Sequence, residues 1–121
     1  MGAISMSEIE ELSKRLKQFA VERDWEQFHA PKNLAMALIV EAAELVEHFQ
    51  WLTEQQSYEL PEEKHQQVAL ELADIFIYSL RLAERLNINL LETVNQKIAI
   101  NEKKYPADKV KGSSKKYTEY T

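Results

Sequence analysis

The sequence predicts an all-α chain built on four helices, and three observations carry that prediction. Only two of its 121 residues are Gly and three are Pro. Little therefore interrupts the abundant Ala, Leu, Glu, Lys and Gln, which lose least on entering a helix. Apolar residues recur at three- and four-residue spacing in four segments, and no segment alternates apolar with polar residues as a half-buried strand does.

The first helix is expected over about residues 7–23. Ser7-Glu8-Ile9-Glu10 has the form of a capping box, and Ile9, Leu12, Leu16, Phe19 and Ala20 follow at helical spacing. Asp24 to His29 is a short connection carrying two aromatic residues. Pro31 suits the first turn of a second helix over about residues 31–52. That helix is apolar nearly all round from Leu34 to Val40, the pattern of a helix buried inside a bundle or between subunits. A polar stretch from Thr53 to Leu60 leads to Pro61 and a third helix, about residues 62–86, which Asn87-Ile88-Asn89 breaks. Asn89 with Glu92 forms another cap, starting a fourth helix over about residues 90–105 that Pro106 ends. By length the chain is one domain over residues 1–121, with residues 1–6 and about 107–121 expected as flexible termini. A single four-helix unit of this size leaves much apolar surface uncovered, which favours a homo-oligomer.

A net charge of −5 opposes binding to nucleic-acid polymers, which calls for a basic surface. With no cysteine, any metal must be held by oxygen or imidazole. No run approaches about 18 consecutive apolar residues and no signal-like segment opens the chain, so a cytoplasmic protein without a membrane partner is expected.

The anomaly lies in two apolar runs. Val40-Glu41-Ala42-Ala43-Glu44-Leu45-Val46 and Leu70-Glu71-Leu72-Ala73-Asp74-Ile75-Phe76 each carry two carboxylates three residues apart, on one helix face. Glu44 lies roughly 12 Å before the expected end of its helix and Glu71 roughly 13 Å after the start of the next. Antiparallel packing then sets Glu44 level with Glu71, and Glu41 level with Asp74 one turn deeper. A single pair of acids at this spacing usually marks a solvated face. Two matched pairs in apolar surroundings instead repel one another and call for protons or a cation. An all-oxygen set suits a hard ion, magnesium first and manganese as a substitute, and magnesium commonly shares its shell with substrate phosphates. A di-iron carboxylate site would need a Glu-x-x-His on each of two helices, and only Glu62 to His65 offers one. Glu47 and Glu84 fit no such pattern and read as surface residues.

Glu41-x-x-Glu44 followed by Glu71-x-x-Asp74 resembles the signature of the all-α nucleoside triphosphate pyrophosphohydrolases of MazG type. Further stretches are similar to the dCTP pyrophosphatase branch: Glu22 to His29 with Pro31 and Asn33, Phe49-Gln50-Trp51, and Asn101 to Pro106 followed by Ser113 to Glu119. The resemblance implies a four-helix MazG-like bundle completed by oligomerisation, as dimers or dimers pairing into tetramers. It implies that the four acids bind magnesium while water attacks the α-phosphorus of a dNTP, giving dNMP and pyrophosphate in nucleotide-pool house-cleaning. A free oxygen of Glu41 or Glu44 would accept the water's proton; position alone does not choose between them.

The same resemblance puts Trp25, His29, Trp51 and Tyr78 around the nucleoside, with Phe28 beside Trp25. Tyr78 follows Asp74 by four residues, where its ring would limit room at the sugar and favour deoxyribose. Such aromatics are also ordinary core residues, so spacing alone does not assign them. Trp25 and Trp51 stand at opposite ends of the second helix, so a pocket using both would be shared between subunits. Lys97, Asn101 and Lys104 share one face of the fourth helix, with Tyr105 adjacent, and the resemblance places them at the phosphates. The Ser113 to Lys116 stretch would either fold over the triphosphate as a lid or simply stay mobile. Leu16 is apolar where the resemblance leads one to expect a polar residue near the base. If the first helix lines the pocket, that departure loosens discrimination among bases; deoxycytidine nucleotides remain favoured by the resemblance, with dATP and other dNTPs as alternatives. From a different class, the competing reading is a non-catalytic helical oligomerisation module with a structural metal site.

Overall fold

A computed structural model of the chain describes residues 6–113. Among these residues every regular element is helical: α1 (Met6–Glu22), a 3-10 turn (Glu26–Phe28), α2 (Pro31–Glu47), α3 (Glu54–Tyr58), α4 (Glu62–Arg85), α5 (Leu90–Lys104) and α6 (Ala107–Val110). The all-α expectation holds, and the four long helices are those the apolar periodicity marks. The chain forms two compact units, Met1–Ile88 and Asn89–Thr121.

In the first unit α2 packs along α4, and α1 lies more lightly against α4. The two main helices run antiparallel. Lys64 at the start of α4 reaches His48 just beyond the end of α2, while Arg85 at the end of α4 donates to the His29 carbonyl just before α2 begins. Pro31 occupies the first turn of α2, where its missing N–H costs nothing.

The ends of α1 and α4 share one device. Trp25 N–H bonds back to the Ala20 carbonyl at 2.8 Å and Asp24 N–H to Val21 at 3.0 Å; Ile88 and Asn87 repeat the pattern on Ala83 and Glu84 at 2.8 and 3.2 Å. Both turns need a left-handed residue, supplied by Asp24 (φ 56°) and Asn87 (φ 55°), residue types that tolerate that region. The chain leaving α1 is thus turned so that Trp25 meets Phe19 edge-on, ring centres 5.7 Å apart.

Two boundaries differ from expectation. The second helix ends at Glu47, five residues early, because His48, Phe49 and Leu52 bond to carbonyls three residues back and tighten the chain into turns. The polar stretch holds a short helix, α3, where the Thr53 hydroxyl accepts from Gln56 N–H and the Gln56 side chain accepts from Thr53 N–H.

The second unit is described by itself. Asn89 caps α5 by accepting from Glu92 N–H at 3.0 Å, and Lys103 and Lys104 complement the negative end of the helix. Pro106 ends it, and α6 follows. Of the expected lid, residues 114–116 lie outside the described residues.

Among the described residues the buried apolar set is small: Ala20, Leu34, Val68, Leu80 and Ala83, with Leu34 at 1 % exposure the only large side chain fully enclosed. The second helix, expected to be covered inside a bundle or between subunits, exposes Met36, Ile39, Val40 and Val46 in the single chain. No helix among the described residues is long and apolar enough to cross a membrane.

Candidate active site

Glu41 and Glu44 lie one turn apart on α2 and face Glu71 on α4. One carboxylate oxygen from each comes within 4.8 Å of the others, and all three side chains are half-buried. Glu71 therefore sits against both acids of α2, rather than against Glu44 alone. Such crowding favours a proton or a cation. The Glu41 carboxyl is pushed up to about 7, first by its hydrogen bond with Glu71, then by burial, then by hydrogen bonding and charge from Glu44 and the charge of Asp74. Glu71 Oε2 is buried without a hydrogen-bond partner. An orphaned carboxylate oxygen beside two further acids fits a hard divalent cation, which such oxygens ligate readily.

Beyond Asp74 a cavity of about 290 Å³ opens between α1, the connection before α2, and α4. Its wall comprises Leu16, Phe19 and Ala20 of α1, Trp25 and His29 of the connection, and Asp74, Ile77, Tyr78 and Arg81 of α4. The periodicity of α4 explains the alignment: Glu71, Asp74, Tyr78 and Arg81 are spaced by three, four and three residues, one face throughout. Asp74, expected as a fourth ligand, is not among the three acids whose oxygens converge; its charge acts on Glu41, and its side chain forms part of the cavity wall. Burial first, and then the charges of Glu41 and Asp74, push the Tyr78 hydroxyl up, so it stays a neutral donor or acceptor.

Arg81 was not singled out by sequence reasoning. It is 3 % exposed, donates to Glu84 at 3.1 Å, and reaches Glu26 and His29 Nδ1 at 3.4 Å each. Glu84 also pairs with Lys17 of α1 at 3.4 Å, so it is an internal link rather than the surface acid it was expected to be. Arg85 holds the same connection through Glu26 at 3.8 Å and the His29 carbonyl at 3.1 Å. The available signal was a lone charge in Leu80-Arg81-Leu82-Ala83, on the face of Asp74 and Tyr78.

Residues 36–120 match the MazG-like family. The chain belongs to that family. Within it, a 42 % identical relative is human dCTP pyrophosphatase 1, aligned over 92 % of this chain; the bovine dCTP pyrophosphatase 1 is 40 % identical. The MazG-like chain spans 66 % of the human protein's length. A pyrophosphatase from Archaeoglobus fulgidus is similar in structure, with a TM-score of 0.76 and 42 % identity over 80 % of this chain and 91 % of that one.

Not every expected site residue of this MazG-like chain meets the cavity. Trp25, His29 and Tyr78 do. Phe28, 60 % exposed, is not in its wall. Trp51 lies beyond the far end of α2, 87 % exposed and also outside the wall. Lys97, Asn101 and Lys104 occupy one face of α5, followed by Tyr105 at its C-cap, all in the second unit.

Proposed function

We propose that this chain is a divalent-metal-dependent pyrophosphohydrolase that converts a deoxynucleoside triphosphate to dNMP and pyrophosphate, with deoxycytidine nucleotides favoured. The observation that carries the reading is the three-carboxylate cluster of Glu41, Glu44 and Glu71 beside an aromatic cavity large enough for a small ligand, with Asp74 in the cavity wall and its charge acting on Glu41. The names of the human and archaeal relatives support the reaction class, and the human and bovine names support the base. The resulting role is clearance of unwanted deoxynucleotides from the pool.

Glu41, Glu44, Glu71 and Asp74 would hold magnesium, or manganese in its place, and the bound ion would supply positive charge against the triphosphate. Trp25 stacks on the base, His29 donates to its edge, and Tyr78 limits space at the sugar. A carboxylate oxygen of Glu41 or Glu44 takes a proton from the water that attacks the α-phosphorus. The bond from that phosphorus to its bridging oxygen breaks, and pyrophosphate leaves. Lys97, Asn101, Lys104 and Tyr105 contact the phosphates.

The exposed apolar face of α2 and the separation of Trp51 from the cavity support a homo-oligomer, a dimer or a pair of dimers, in which Trp51 completes a neighbour's pocket. The deciding experiment offers each dNTP and NTP with magnesium or EDTA and resolves the products by ion exchange. Magnesium-dependent release of dNMP and pyrophosphate is expected. Glu41→Gln and Asp74→Asn should lose turnover while keeping helical circular dichroism; an active Glu41→Gln protein would refute the ligand assignment. No turnover by folded, metal-loaded protein would favour a non-catalytic module.

A further inference from the structure

Arg81 is an expensive residue to bury, and stability alone gives little reason for it. Its guanidinium is nearly enclosed and shared between two carboxylates, yet Nε–H has no partner. Apolar residues commonly replace buried ion pairs without loss of stability, and an unpaired buried donor is a net cost. What the guanidinium does accomplish is visible at His29. Arginine carries donors only, so the ring atom it faces must accept. His29 Nδ1, 3.4 Å from Arg81 Nη2, therefore presents a lone pair, and the proton of the neutral ring sits on Nε2.

The geometry points to Arg81 as the positioning residue of the nucleobase pocket: by occupying His29 Nδ1 it fixes the ring as an Nε2–H donor and so sets which base edges the cavity accepts. This rests on reading the cavity as the nucleoside site. With the tautomer fixed, a base must turn an acceptor toward the ring. A ring free to exchange tautomers or to take a second proton would discriminate less.

The surroundings keep the ring neutral. Burial first, then the charges of Arg81 and Arg85 on α4, hold the His29 pKa below its ordinary 6.5, while Glu26 on the same connection opposes them. Asp74 and Tyr78 share the cavity wall, and Lys17 of α1 reaches the cluster through Glu84. Removing Arg81 withdraws one of the lowering influences, so the imidazole would protonate at a higher pH than in the parent.

The test compares the parent with Arg81→Met, which keeps length without charge, and Arg81→Lys, which keeps charge without the fork. Imidazole 15N spectra of His29 in nucleotide-free protein read the tautomer directly. The parent should show Nε2–H alone, and both variants a mixture. In steady-state assays Arg81→Met should raise KM for the preferred dNTP about tenfold, one hydrogen bond's worth, with a smaller change in kcat. Its ranking of bases should narrow, and its KM should begin to climb on acidification at a higher pH than the parent's. If Arg81→Met does not fold, Arg81→Lys carries the tautomer, KM and base-ranking readouts, while its pH profile should stay with the parent's because the charge is kept.

An Nδ1–H tautomer in the parent would overturn the inference whatever the enzyme does. So would an active parent whose variants match it in KM, base ranking and pH profile. A parent that shows the fixed tautomer but hydrolyses no nucleotide would leave Arg81's hold on His29 standing and remove the activity reading instead.

Discussion

In the metal-free protein Glu41 keeps a proton near neutrality because Glu71 shares it and Glu44 and Asp74 add negative charge. An acid whose pKa is raised by folding favours the fold only while it stays protonated. Below its ordinary 4.5 both states hold the proton; between 4.5 and about 7 the unfolded chain releases it first, so stability falls as pH rises. The melting temperature in EDTA should therefore decline from about pH 5 to pH 8, with a shallower decline in Glu41→Gln. Magnesium should raise it more at pH 8 than at pH 5, since it then replaces no proton. A metal-free melting temperature that climbs over that range, equally in parent and variant, would contradict the crowding. These acids were legible in the sequence because carboxylates inside apolar runs break the burial rule. Arg81 and Glu84 were not legible. Arg81-x-x-Glu84 is also how an ordinary solvated ion pair on a helix looks, and only the fold shows that α1 and the Trp25 connection close over it.

At the scale of elements, the helix ends decide where the site's side chains stand. Asp24 and Asn87 each adopt a left-handed turn that closes a helix, and the first of these delivers Trp25 and His29 to the cavity. Asn87→Gly should leave stability nearly unchanged, whereas Asn87→Val should cost about 1–2 kcal/mol in urea unfolding. Equal stability in both would mean the turn relaxes without strain. These breaks could be read because Asn and Asp are the side chains that tolerate such turns. The end of α2 could not, since Phe49-Gln50-Trp51 continues the apolar rhythm with no Gly or Pro to stop it. Thr53 with Gln56 does carry a capping signal, but no apolar run follows, and α3 is only five residues long.

For the whole molecule, only five apolar side chains are buried among the described residues, few for a helical chain of this length, while Met36, Ile39, Val40, Leu70 and Leu72 on α2 and α4 stay exposed. A second copy covering them would explain both the apolar girth of α2 and the position of Trp51. Ile39→Glu should then shift the sedimenting species toward monomer and lower the melting temperature together; a parent that sediments as a stable monomer at micromolar concentration would defeat this. Sharing of the pocket has a sharper test. If Trp25 of one copy and Trp51 of another face the same base, Trp25→Ala and Trp51→Ala homo-oligomers are each impaired at every site. After subunit exchange, a mixed pair places both substitutions in one pocket and leaves the other intact. Random pairing in a two-fold dimer then restores about a quarter of the parental sites. Activity of the equimolar mixture should rise toward that fraction, while mixtures held below the exchange rate should not recover. If activity stays at the average of the two variants after exchange is complete, Trp51 does not serve a neighbour's pocket and its exposure answers only to the interface.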